Sequence, residues 1–134
     1  MCRGLYAEAQ VSGGEARVSS GSSRARSLLA AERERTEARL TALQKDFDAI
    51  VSSAGAAADD EHDPEGSSTA FDRQHVAALI GAARDHLAEI ARAAARIDDG
   101  SYATCQRCGR QISAGRLAAR PATATCITCA SRRA

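Results

Sequence analysis

The sequence is poor in aromatic residues, with two Phe, two Tyr and no Trp in its 134 residues. So few large rings cannot fill a thick globular interior, which excludes a bulky compact core. Charge of one sign is also missing. The formal net charge of +1 at pH 7 gives no overall field that would select nucleic acid or an anionic membrane. No run of 18 apolar residues occurs, and this excludes a membrane-spanning helix. MCRGLYAEAQV has neither the basic n-region nor the apolar h-region of a signal peptide. The expected setting is therefore the reducing cytoplasm, where structural disulfides are uncommon. No internal repeat stands at solenoid periods.

What the chain does have is alanine, arginine and glutamate, a composition that suits long helices packed through a narrow seam. The expected fold is mainly α. Residues 1–23, ending VSGGEARVSSGSS, have little to bury and read as a disordered tail. The odd fifth cysteine, Cys2, lies in that tail and is expected to be incidental. From a cap at Ser22 or Ser23, SLLAAERERTEARLTALQKDFDAIV runs on without Gly or Pro. Its seam is Leu29, Thr36, Leu40, Leu43, Phe47 and Ile50, stepping in fours and threes as a coiled coil does. Glu37–Arg33 and Glu32–Thr36 are candidate partners one turn apart along this helix.

Residues 52–69, SSAGAAADDEHDPEGSST, read as a loop broken by Gly55, Pro64 and Gly66. A second helix then starts near Thr69 or Phe71, with its seam at Val76, Ile80, Ala83, Leu87, Ile90, Ala94 and Ile97. Gly100 is its expected stop. Residues 24–99 should thus fold as an antiparallel helical hairpin, a coiled coil with its tip loop at 52–69. With Thr36 and two alanines in its seams, a hairpin this long needs an anchor at its open end, and residues 100–134 follow there.

That segment contains Cys105, Cys108, Cys126 and Cys129, two C-x-x-C pairs with 17 residues between them. Two such turns present four soft thiolates, the donor set of a structural zinc ion. A dithiol redox centre would need a βαβ framework, and disulfides conflict with the expected compartment. A catalytic zinc would keep a ligand position open, whereas here every position has a thiolate. Gly109 suits a tight turn close to the sulfurs, and Ile112 and Leu117 supply a small core. Burial alone cannot fold such a module, so one structural zinc ion is expected to supply much of its folding free energy.

Charge is unevenly spread. Residues 101–134 hold six arginines and no carboxylate side chain, whereas the loop holds Asp59, Asp60, Glu61, Asp63 and Glu65 with no Lys or Arg. The loop is either a solvated turn or a contact for a basic surface or a metal ion. The arginines leave open a zinc-ribbon-like nucleic-acid contact or another protein-interaction module. Nothing assembles a nucleophile, a base and an oxyanion site, so no enzyme is expected.

The run Arg96-Ile97-Asp98-Asp99-Gly100-Ser101-Tyr102, then CxxCGxxI, then RLxARPxAxxCxxC, resembles the DksA/TraR family of bacterial zinc-finger proteins. The resemblance is strong over about residues 95–130, and the hairpin before them agrees in architecture. The chain has no longer globular extension and so resembles the shorter, TraR-like members. It implies a transcription regulator that binds RNA polymerase through its secondary channel, without sequence-specific DNA binding or a membrane. The acidic tip, here Asp59, Asp60, Glu61 and Asp63, would approach the catalytic centre, and the zinc module would contact the polymerase exterior. Some members act jointly with the alarmone ppGpp. The family's best-known tip reads Asp-x-x-Asp-x-Ala. Asp60 and Asp63 supply the two aspartates, but Glu65 takes the alanine position. Starting instead from Asp63 puts Gly66 and Ser68 at the other two positions. The resemblance thus reaches further for polymerase binding than for the regulatory output.

Overall fold

The computed structural model describes residues 15–56 and 65–132. Residues 1–14, with Cys2, and residues 57–64, with Asp59, Asp60, Glu61 and Asp63, lie outside the described residues. Among the described residues the helices are, in order, α1 (Glu15–Ala56), α2 (Glu65–Asp99), α3 (Ala114–Ala119) and α4 (Ile127–Ser131). The first two form the hairpin, and α3 touches α1 beside it.

Helix α1 has 42 residues, about 63 Å at the α-helical rise. It begins at Glu15, which corrects the start expected at Ser22 or Ser23. The Ser-rich stretch is still helical because it contains no proline, and one glycine at Gly21 costs only about 1 kcal/mol relative to alanine. The same reasoning shortens the expected loop 52–69. Gly55 lies inside α1, and α2 starts directly after Pro64 and carries Gly66 in its first turn.

The seam positions of α1 from Thr36 to Ile50 are all half-buried, as a two-helix contact leaves them. Full burial begins nearer the open end. There Ala25, Leu29, Ile90, Ala93, Ile97 and Ala122 form one cluster, with Leu87, Ala94 and Tyr102 packed against it. Ala93 is fully buried, one position away from the expected seam residue Ala94. A third element contributes here: Ala122, from the cysteine module, joins Ala25 and Leu29 of α1 in the cluster that buries Ala93.

The seam also holds a polar pair. His86 Nε2 lies 2.7 Å from Glu32 Oε1, and His86 Nδ1 lies 3.3 Å from Glu89 Oε2. Glu32 Oε2 is buried without a partner. Thr36 bonds the backbone carbonyl of Glu32 at 2.8 Å, so the expected Glu32–Thr36 pairing does not involve the Glu32 carboxylate. Arg33–Glu37 forms as expected at 2.7 Å, although an exposed pair of this kind contributes little.

Helix α2 ends at Gly100, as expected. Gly100 has φ +82, its N–H bonds the carbonyl of Ile97 at 3.3 Å, and the Ser101 N–H bonds that of Arg96 at 2.9 Å. These two bonds are a Schellman motif, which needs a left-handed residue. A Cβ at Gly100 would meet nothing within 4 Å, so any cost of substitution is in the backbone. Gly100→Ala should destabilise the chain by about 1–2 kcal/mol, the cost of a left-handed L-residue, and Gly100→Asn by less. An unchanged urea midpoint for the alanine variant would contradict this.

Candidate metal centre

The first cysteine pair sits in a tight backbone turn. The Cys105 N–H bonds the Arg110 carbonyl at 2.8 Å, and the Gly109 N–H returns to the Cys105 carbonyl at 2.9 Å. Gly109, at φ +72, makes this reversal possible. An isolated antiparallel bridge joins Thr104 to Gln111, and Ile112 folds back to bond the Ala103 carbonyl at 2.7 Å. Ser113 caps α3 by accepting from the Arg116 N–H at 3.3 Å. Residues 121–125 then lead to Cys126, which opens α4, and Cys129 lies within α4.

These turns bring all four sulfurs together, each within 4.8 Å of the others. Zinc bonds thiolates at about 2.3 Å, which puts the sulfurs of a tetrahedron about 3.8 Å apart. Cys108 Sγ and Cys126 Sγ are 3.7 Å apart. The four cysteines are therefore positioned to bind one metal ion, and soft thiolates on a tetrahedron select zinc. Cys105, Cys126 and Cys129 are buried around Ile112 and Leu117, while Cys108 is exposed.

The thiols do not share charge evenly. The backbone N–H of Cys126 lowers Cys105 to about 6, against the opposing effect of burial, with the N–H groups of Cys108 and Arg107 helping. Cys126 is also lowered, chiefly by the N–H of Cys129. Cys129 is pushed up to about 12 by burial and then by the neighbouring sulfurs. Holding all four sulfurs as thiolates in one place needs a cation.

Arginines surround the centre. Arg107 Nη1 donates to the Cys129 carbonyl at 3.2 Å, and Arg116 Nε donates to the Thr125 carbonyl at 2.8 Å. Arg96, only 5% exposed, reaches across from α2 to the carbonyls of Ala122 and Thr123. Burial pulls its guanidinium below the ordinary arginine value. With Arg92 and Arg120, these residues line a cleft of about 1020 Å³ between the hairpin and the module. Glu32, His86 and Glu89 form part of its hairpin wall. Sequence reading missed Arg96 and the His86–Glu32 pair. Arg96 was visible only as part of the family motif.

Together these features define a class: a four-cysteine zinc finger closing the open end of a helical hairpin. Residues 100–133 match the family described as the prokaryotic dksA/traR C4-type zinc finger. The sequence's resemblance to DksA/TraR C4-type zinc-finger proteins therefore holds. The hairpin agrees as well. The solved structure of transcription factor DksA2 from Pseudomonas aeruginosa superposes with a TM-score of 0.69 over 85% of this chain and 83% of that one. Identity is 24%, so this likeness shows a shared fold. Comparison with curated proteins finds no match.

At neutral pH, zinc loading should displace at least the Cys129 proton. Because protons and zinc compete for the thiolates, affinity should fall on acidification, and further as the pH drops through about 6, where Cys105 also takes up its proton. Calorimetric titration in two buffers of different ionisation enthalpy counts the protons. Zero release at pH 7 would contradict the assignment.

Proposed function

We propose that the chain is a bacterial transcription regulator that binds RNA polymerase through its secondary channel, in the cytoplasm, and is not an enzyme. Cys105, Cys108, Cys126 and Cys129 are the zinc ligands, and zinc is structural. The observation that carries this reading is the separation of opposite charges along a rod. In sequence, Asp59, Asp60, Glu61 and Asp63 lie between the end of α1 at Ala56 and the start of α2 at Glu65. Leu29, in the base cluster, is about 40 Å of helix from Ala56. A narrow hairpin can carry carboxylates to the end of a channel that a globular domain could not enter. The DksA-like fold and the family of the finger support the same function.

The nucleic-acid reading is weaker. Arg96, Arg107 and Arg116 already bond backbone carbonyls, so their guanidinium groups are engaged within the module. Joint action with ppGpp belongs to the polymerase reading. The two other guanidinium groups of the cleft, those of Arg92 and Arg120, are the cationic surface that such an anion, held against polymerase, would meet. No helix among the described residues is long and apolar enough to cross a membrane.

Tagged zinc-loaded protein should recover RNA polymerase from a bacterial extract. Changing Asp60 and Asp63 together to alanine should leave that recovery within about twofold while abolishing the effect on initiation in a purified transcription assay. Failure to recover polymerase sinks the binding claim. An unchanged effect from the double variant sinks the role of the tip alone.

A further inference from the structure

Residues 121–125, Pro-Ala-Thr-Ala-Thr, form a strap from the end of α3 to Cys126, and the strap belongs to no helix or strand. Its backbone carbonyls nevertheless all find donors. Pro121 accepts from the Tyr102 hydroxyl at 2.7 Å, and Ala122 and Thr123 accept from Arg96 Nη2 at 3.4 and 3.2 Å. Ala124 accepts from the Gln106 N–H at 2.9 Å, and Thr125 from Arg116 Nε at 2.8 Å. Three of the five carbonyls are thus held by Arg96, in the last turn of α2, and by Tyr102, just beyond it. Ala122 also places its methyl in the hairpin's buried cluster.

Arg96 depends on the strap in turn. It is buried, its Nε has no partner, and among the described residues no carboxylate forms an ion pair with it. A buried cation is costly unless oxygen atoms replace its water, and the oxygens that do so here are the carbonyls of Ala122 and Thr123. Moving the strap would strand the charge, and removing the charge would free the strap. The residue that follows the strap is Cys126.

We propose that Arg96 is a positioning residue for the zinc centre. It fixes the strap that presents Cys126 and Cys129, and through this contact zinc and the hairpin base stabilise each other. Coupling of this kind is reciprocal, so a residue that tightens zinc is also one through which zinc tightens the base.

Two readouts on the full chain test it: zinc affinity by competition with a chromophoric chelator, and amide exchange at residues 25–29 and 90–97 with and without zinc. Arg96→Met keeps the stem's volume and removes the buried charge. A residue that merely filled space would leave both readouts unchanged. Expected instead is a fall in zinc affinity of about 10-fold to 100-fold, typical when a group orienting a metal ligand is lost. Arg96→Lys should recover part of it, because an ammonium keeps the charge without the fork. Zinc removal should speed exchange at 90–97 in the parent chain and much less in Arg96→Met. Tyr102→Phe, which removes only the bond to Pro121, should shift affinity the same way by a smaller factor, and it decides the matter should the Arg96 variants not fold. Affinity within twofold of the parent in every folded variant overturns the proposal. So does base exchange in the parent that ignores zinc. Neither readout involves polymerase, so this result and the polymerase recovery stand apart.

Discussion

Four thiolates converging on one cation hold together a module with almost nothing else to bury. Its apolar interior is Ile112 with Leu117 against the sulfurs. Burying one such side chain contributes about 1.5–3 kcal/mol, whereas a structural zinc ion contributes an apparent 10–16 kcal/mol or so near neutral pH. The metal therefore dominates, and the turns at Gly109 and Cys126 exist to aim ligands at it. Everything that docks on the module, including the open end of the hairpin, depends on that centre.

The hairpin is built on a gradient. At its base, Leu29, Ile90, Ala93 and Ile97 are buried with Ala122 from the module, so three elements share one core. Further out, Ile80 and Ala83 are buried on α2, but the facing positions of α1 are half-exposed. Local opening is easier where fewer apolar groups are buried, so rigidity should decline from the zinc end outward. On the polymerase reading this gradient has a use. The base docks as a fixed body, and the far end retains room to adjust inside a channel.

Much of this was legible in the sequence because it is local or periodic. The two C-x-x-C pairs identify a metal centre by spacing alone, Gly100 and Gly109 take up the positive φ values their positions suggested, and the fours-and-threes seams give the hairpin. The glycine-broken loop was drawn too wide. Gly55 and Gly66 are single glycines in long helices, and their small cost is outweighed by the residues on either side. The burial of Ala93 and Arg96 was hidden for a different reason. Their partners lie in the strap, 26 and 27 residues beyond Arg96, in a segment with no periodicity to read. A seam inferred from two helices cannot reveal a face covered by a third element. His86 and Glu32 were obscured likewise, because a polar pair in a seam looks like a gap in the apolar pattern.

A zinc-fixed base that carries the far end of the hairpin into polymerase would make two separate contacts. A photo-crosslinking residue at Val51, on the exposed side of α1 near its end, and another at Ile127, exposed on α4, report the two ends of the rod separately. With zinc-loaded protein and purified RNA polymerase, Val51 should crosslink to the subunits lining the secondary channel and Ile127 to the polymerase exterior. No polymerase crosslink from Val51, with Ile127 crosslinking to nucleic acid instead, would contradict insertion of the hairpin into the channel.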